Sequence, residues 1–472
     1  MRRALATALG LALTACKMGP NYERPPVAVP PDFYGQAAAS EEAKALANLP
    51  WWEVFGDPDL QALVEEALRH GFDARLAAAR VQEARALYGI AKGDLYPSVG
   101  YQGGLERVRL DQFVNPNNEV DTKWTAKVGF QWELDLWGRI RRQTEAAQAQ
   151  YLATEEARRG VMLSLASEVA ITYFELRELD AELQIARRTT VAFEGTFHLF
   201  QRRLEGGAAS ALETARAEGS LGLVAAQIPE IERAIVAREN ELNFLLGRPP
   251  QPIPRGSTAV AIPPPIPPGL PSELLERRPD VRQAEQQLVA ANALIGAAKA
   301  RFFPTLSLTG FFGNVSPELD NIFSSGKTYS LAAGLLGPLF TGGQLKQGLE
   351  AAKARFEEGK VEYEAAVTNS LREVSDALVD RAKLVETERE RQRAVNAYQE
   401  AVRLANIRYA SGLSAYFEVL DAQQQLFPAE ISLVQTHRSE LVAVVNLYKA
   451  LGGGWVVASA TPPSPAPTST QP

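Results

Sequence analysis

The stretch Trp124-Thr125-Ala126-Lys127-Val128-Gly129-Phe130-Gln131-Trp132-Glu133-Leu134-Asp135-Leu136 alternates without a break. Its even positions carry Trp124, Val128, Phe130, Trp132, Leu134 and Leu136; its odd positions carry Thr125, Lys127, Gln131, Glu133 and Asp135. A period of two is the mark of a strand with one oily and one wet face. Upstream, Val99, Tyr101 and Leu105 supply a partner strand, and the joining segment 111–120 is polar, with Asn115-Pro116-Asn117-Asn118 at its tip. A soluble half-buried sheet would show the same alternation, so the neighbouring segments must decide.

About 205 residues on, the plan recurs. Leu306, Leu308 and Phe312 precede a polar tip at 316–327, and Tyr329, Leu331, Ala333 and Leu335 follow it. Gly412 lies 205 residues after Gly207, Glu418 the same distance after Glu213, and Phe303-Pro304 lies 207 after Tyr96-Pro97. The chain therefore doubles one unit, and the question becomes what a doubled unit builds. The expected division is 1–15 a signal peptide, 16–58 an N-terminal segment, 59–247 the first repeat, 248–271 a proline-rich linker, 272–452 the second repeat and 453–472 a flexible tail. Each repeat carries helices, a β-hairpin (about 96–136 and 303–340) and a long helix pair.

The helix pairs are unusually long. No proline interrupts 342–409, and Leu349, Phe356, Tyr363, Leu371, Leu378 and Val385 recur at close to two helical turns, the period of a straight helix. At 1.5 Å per residue such a helix would extend on the order of 100 Å. Its return partner is expected at 414–451, and the first repeat repeats the scheme at 138–204 and 208–246. Helices of this length exceed any compact core and must pack on each other or on copies.

Composition narrows the class. The 472 residues are 46% hydrophobic and 22% charged, with a net charge of -7 and no basic cluster, which argues against disorder and against nucleic acid as a partner. Arg2-Arg3, a weakly apolar stretch and Leu13-Thr14-Ala15-Cys16 read as an export signal ending at the only cysteine, and the tetrapeptide resembles a bacterial lipobox in which Cys16 is acylated. That covalent lipid is the only expected cofactor, and with Lys17 rather than an aspartate after the cysteine the lipobox resemblance implies export to the outer membrane. A sole cysteine makes no intramolecular disulfide. No Gly-x-Ser-x-Gly, phosphate-binding glycine loop or His-Glu-x-x-His occurs, and His70, His198 and His437 lack ligand spacing, so neither an enzyme nor a metal site is expected. The three histidines read as polar surface residues.

Four strands cannot close a membrane barrel, which takes about eight or more, and lipid tolerates no open sheet edge. If the strands span a membrane, several chains must share the barrel. The ordered set of Cys16, Trp51-Trp52-Glu53-Val54-Phe55-Gly56-Asp57-Pro58, Leu134-Asp135-Leu136-Trp137-Gly138-Arg139, Phe340-Thr341-Gly342-Gly343 and Arg408-Tyr409-Ala410-Ser411-Gly412 with Val419-Leu420-Asp421-Ala422-Gln423 resembles the TolC-like outer-membrane efflux factors, in their lipoprotein branch. The resemblance spans the mature chain. It implies a mainly α protein with membrane β: a homotrimer whose four strands per chain form a 12-strand barrel, continued by an α-helical tunnel into the periplasm. The implied function is the gated exit duct of a tripartite resistance-nodulation-division pump, working with a periplasmic adaptor, an inner-membrane transporter and outer-membrane lipid. A type I protein-secretion duct and a non-conducting structural lipoprotein remain alternatives.

The resemblance also implies a gate where the second helix pair turns. The matching positions are Phe417, Glu418 and Asp421, which can share a helix face. Two acids per chain make six carboxylates in a three-fold assembly, a cation-attracting constriction sensitive to ionic strength. In the first repeat Arg216 stands where the second has Asp421, and Leu212 where it has Phe417. The positions matching the closed-state contacts are Tyr409 and Glu213, a phenol-to-carboxylate hydrogen bond. Ser414 stands where some relatives carry a basic residue, so an ion-pair latch there is not expected.

Overall fold

The computed structural model describes residues 17–34, 54–109, 120–256, 260–263, 271–324 and 326–453. Cys16, the expected lipid site, and Trp51-Trp52-Glu53 lie outside them, as does most of the first hairpin tip.

The first repeat runs α1 (Pro58–His70), α2 (Phe72–Gly93), β1 (Ser98–Arg109), β2 (Val120–Leu134), α3 (Arg139–Glu205) and α4 (Ala211–Leu245). After a 3-10 turn at Pro271–Glu273, the second runs α5 (Leu274–Arg277), α6 (Pro279–Ala300), β3 (Thr305–Ser316), β4 (Lys327–Leu336), α7 (Gln344–Ala410) and α8 (Phe417–Ala450). Helices α3 and α7 each span 67 residues. The chain divides into two compact units. One comprises Met1–Val27, Ala79–Ala157 and Arg282–Ala366; the other comprises Ala28–Ala78, Arg158–Val281 and Val367–Pro472.

The first unit holds one antiparallel sheet of order β1-β2-β3-β4. Its register explains the alternation. Val128 faces Tyr101 on one side and Phe312 on the other, Trp132 faces Leu308, and Phe312 faces Tyr329. Cross-strand partners share a face, so these residues, with Val99, Leu105, Leu331 and Leu335, form one apolar face. It is left open: Tyr101 is 91% exposed, Tyr329 82% and Leu331 77%. Gln102, Thr125, Lys127, Gln131, Glu133 and Thr309 alternate onto the opposite face. An oily sheet face that no other part of the chain covers departs from the order of a water-soluble protein. Among the described residues, β1 and β4 are each paired on one side only.

Leu134-Asp135-Leu136-Trp137-Gly138-Arg139 is a strand-to-helix joint. Asp135 accepts from the amides of Ile140 and Arg141 at 3.1 and 2.8 Å, satisfying two of the donors that open α3. Arg139 grips Glu133 with two bonds of 3.1 and 2.7 Å. The Trp137 indole donates to Pro304 O at 2.8 Å and stacks on Phe303 at 4.7 Å, tying the joint to the start of β3.

The second unit contains the main core, where Leu60, Val64 and Ala67 of α1 meet Val169, Tyr173 and Phe174 of α3, Leu242 and Leu245 of α4, and Val444 and Tyr448 of α8. Asp57 caps α1 through the amides of Asp59 and Leu60, with Pro58 in the first turn, where its missing N–H costs nothing. Tyr173 donates to the other Asp57 oxygen at 2.8 Å. Of the α7 stripe, Tyr363 is buried and Leu371 and Leu378 pack at the edge of a small cluster with Val374, but Val385 is 52% exposed. From Tyr363 the buried line of α7 continues through Val367, Ser370, Val374 and Ala377, at alternating steps of four and three that keep them on one helix face. Among the described residues, no helix is long and apolar enough to cross a membrane.

Candidate functional site

The turns that close the two long helix pairs sit together in the second unit, and they are copies of one another down to the hydrogen bonds. After α3, the Gly207 amide donates to Leu204 O and the Ala208 amide to Arg203 O; after α7, the Gly412 amide donates to Tyr409 O and the Leu413 amide to Arg408 O. Both are Schellman caps, and both need the left-handed backbone that Gly207 (φ 73) and Gly412 (φ 70) supply. Beyond the glycines the copies part. Ser210 caps α4, and Glu213 closes a capping box by accepting from the Ser210 amide at 2.8 Å. Tyr416, at the same place before α8, makes no side-chain cap.

Tyr416 turns inward instead. It packs edge-on against Phe200 at 4.8 Å and Tyr409 at 5.0 Å, and its hydroxyl lies 2.5 Å from Thr196 Oγ1. Thr196 already donates to Ala192 O, so the tyrosine is the donor. Burial raises the Tyr416 pKa. Around it Phe193, Phe200, Ala217, Val224, Ala405, Val419 and Leu420 form a cluster contributed by all four long helices.

Phe417, Glu418 and Asp421 occupy the opposite, exposed face of the first turn of α8. They are not equivalent. The Phe417 ring sits under the Arg216 guanidinium at 5.7 Å, a contact made from the cation that replaces Asp421 in the first repeat. Glu418 accepts from Arg408 Nε at 3.1 Å. Asp421 stands exposed one turn on.

Tyr409 and Glu213 do not meet. The Tyr409 hydroxyl accepts from Arg203 Nη1, and the Arg203 guanidinium also covers the ring at 5.3 Å. Glu213 is committed to Ser210, and those hydrogen bonds, the backbone amide first, hold its carboxyl below its usual range. The cation that holds Tyr409 thus comes from the end of α3, and the Ser414 hydroxyl is buried without a hydrogen-bond partner among the described residues. Sequence reading missed Arg203 because it faces Tyr409 only once two turns remote in sequence are superposed; its offset of 206 from Tyr409 was the available signal.

Further along, a ladder of polar contacts joins α8 to the first helix pair. Gln424 donates to Ser220 at 2.9 Å, Arg188 pairs with Glu430 at 2.5 Å, Gln435 donates to Glu182 at 2.9 Å and Arg438 pairs with Glu178 at 2.7 Å. Between α7 and α8, Arg391 donates to Ser432 O at 2.7 Å. His70 and His198 are exposed as expected, but His437 is partly buried, with Nδ1 3.2 Å from Glu388 and Nε2 3.0 Å from Val260 O. Glu440, 2% exposed, lies one helical turn from it, and burial together with the Glu388 carboxylate pushes its pKa up to about 7.

A doubled chain with an exposed apolar sheet face and paired long helices closed by matched turns defines an outer-membrane channel subunit. The chain belongs to the outer membrane efflux protein family, whose profile matches residues 63–248 and 270–453. It is 37% identical over 460 residues to the outer membrane protein OprJ of Pseudomonas aeruginosa, covering 95% of each chain. To the toluene efflux pump outer membrane protein TtgI of Pseudomonas putida it is 35% identical, covering 95% of this chain and 97% of that one. The MtrE outer membrane channel of Neisseria gonorrhoeae, solved in its open state, shares the fold with a TM-score of 0.83 at 32% identity, covering 93% of this chain and 98% of that one. The family is one of channels and not of enzymes, and the TolC-like resemblance read from the motifs holds.

Proposed function

We propose that three copies of this chain form the exit duct of a tripartite efflux pump, passing small molecules out through a tunnel gated at the paired turns. The observation that supports it most is the sheet: four strands, one face oily and exposed, and an unpaired edge at either side. In the order β1-β2-β3-β4 the two edge strands run in opposite directions, so β4 of one copy can pair antiparallel with β1 of the next. Repeating that contact around an axis removes every edge, as lipid requires. Three copies reach 12 strands, above the closure limit of about eight. A non-conducting spacer lipoprotein would have no use for such a sheet.

Phe417, Glu418 and Asp421 serve as the constriction in this reading, with Tyr409 held by Arg203 in the closed arrangement. Cys16 carries the lipid, and a periplasmic adaptor and an inner-membrane transporter complete the pump. Purified protein in a planar bilayer tests the duct. Stable single-channel conductance from a trimer supports it; a chain that inserts but conducts nothing, or that remains monomeric in detergent, sinks it.

A further inference from the structure

Residues Lys17–Arg24 lie in a groove of the sheet-bearing unit between α3 and α6, and nothing in the duct as described makes use of them. Three polar side chains line that groove and are almost removed from solvent: Arg142 on α3 is 1% exposed, and Asn292 and Glu285 on α6 are 3% and 9% exposed. Each finds its partners in the N-terminal segment. Arg142 donates from Nε to Met18 O at 2.9 Å, and from Nη2 to Gly19 O at 3.1 Å and Asn21 Oδ1 at 3.3 Å. Asn292 donates to Pro20 O at 3.2 Å. Glu285 receives two bonds from Arg24, at 2.6 and 2.8 Å, and one from the Tyr22 hydroxyl at 3.3 Å. Lys17 pairs with Glu145 at 2.5 Å, and the Met18 amide donates to Trp137 O at 3.2 Å.

The fit is steric as well. A Cβ on Gly296 would lie 2.4 Å from Met18 O, and one on Gly19, whose φ is 86°, would lie 2.5 Å from Gly296 Cα. Two backbones pass here with no room for a side chain on either. The helices themselves offer Arg142 only Glu145, on one nitrogen, and the hydrogen bonds of Asn292 and Glu285 among the described residues all come from the segment. The direct apolar contact between α3 and α6 is an alanine seam, Ala146 and Ala149 against Ala290 and Ala293. Alanines bring helices close but bury little area each, so polar contacts carry more of the join. In the second repeat Gln347 stands 205 residues after Arg142 and is exposed, so among the described residues it has no such grip.

We propose that Lys17–Arg24 is the peptide ligand of this groove. It acts as a staple that locks α3 of the first repeat to α6 of the second, and fixes where anything attached through Cys16 joins the sheet-bearing unit. The staple works within one chain, so it stands or falls apart from conduction.

Chymotrypsin digestion of the purified full chain, followed by intact mass, tests it at the Tyr22–Glu23 bond. The unaltered chain resists cleavage. Arg24→Ala with Asn21→Ala, which changes the segment and neither helix, speeds loss of the N-terminal residues by roughly tenfold or more, as does Arg142→Ala. If Arg142→Ala fails to fold, the segment variant decides alone; equal cleavage of it and the unaltered chain overturns the proposal. Clipping also lowers the melting temperature, and a clipped chain that melts with the intact one would show a passenger rather than a staple.

Discussion

Arg203, near the end of α3, donates to the hydroxyl of Tyr409, near the end of α7, and lays its guanidinium over the same ring. One cation therefore spans the two helix pairs where both turn back, and the two residues occupy nearly the same place in their respective repeats. A duplicated scaffold has been given complementary residues at one level. If α7 and α8 move as a pair, this contact must break.

Tyr409→Phe removes the acceptor and keeps the ring, while Arg203→Ala removes both interactions. Because the pair is largely exposed, each contributes little to stability, about 0–1 kcal/mol. The expected effect is on gating: mean bilayer conductance rises in both, more for Arg203→Ala. Glu213→Ala, which loosens the cap of α4 and costs about 1 kcal/mol in helix stability, leaves conductance as it was. Raised conductance in Glu213→Ala alone would restore the carboxylate as the holding group.

Glu418 and Asp421 face outward on the first turn of α8, and one of them is partly neutralised by Arg408. Removing both carboxylates abolishes block by millimolar divalent cations and weakens cation preference. Asp421→Ala alone has the larger effect, since Glu418 already carries a counter-ion. Divalent block that survives the double substitution would move the constriction elsewhere.

The outward face of the sheet predicts a depth-dependent penalty. Leu331→Arg, placing a charge on an exposed apolar site, costs about 2–4 kcal/mol of insertion free energy if the residue sits near the bilayer midplane. Thr309→Arg on the opposite face costs far less. Folding into lipid vesicles, scored by the heat-stable trimer band, measures both; equal yields would mean that the oily face does not meet lipid.

Glu440 supplies a pH dependence. Its folded pKa, raised to about 7, lies above the ordinary carboxylate value of 4.5. Below that value both folded and unfolded chains are protonated and stability is full. As pH rises through the interval, the unfolded chain ionises first, and stability falls until the folded acid ionises too. His437 and Arg381 beside it oppose the shift without cancelling it. Melting of Glu440→Gln should lack this component: the gap between variant and unaltered chain widens from about pH 5 to 7 and then levels off. A constant gap would show that Glu440 is ionised throughout.

Cys16→Ser abolishes acylation, read as the loss of the lipid mass on the mature chain, while the sheet and helices still form. An unchanged mass would mean that the cysteine is not the anchor.

Much of this was legible in the sequence because it rests on period and punctuation. The alternation at Trp124–Leu136 set the faces of β2, the absence of proline at 342–409 announced α7, and the glycines 205 residues apart marked both turns. These are local properties, governed by pleat, helical pitch and backbone sterics, and they persist wherever the segment is placed. The shared face of Phe417, Glu418 and Asp421 follows from helical geometry in the same way.

What local order could not reveal is which distant side chains meet. Tyr409 and Glu213 are a sound chemical pair, but Glu213 is three residues from Ser210 and is taken up by the cap of its own helix, leaving Arg203 to reach the phenol. His437 looked like a surface residue until Val260 and Glu388 were brought beside it. Arg142 reads as one more charge near a helix start, and only folding lays Met18, Gly19 and Asn21 across it. The sequence by itself determined the strands, the long helices, their duplication and hence the kind of object they build, since those depend on neighbours along the chain. Tertiary structure alone decided the partners, because a charged side chain pairs with whichever complementary group packing carries within about 3 Å.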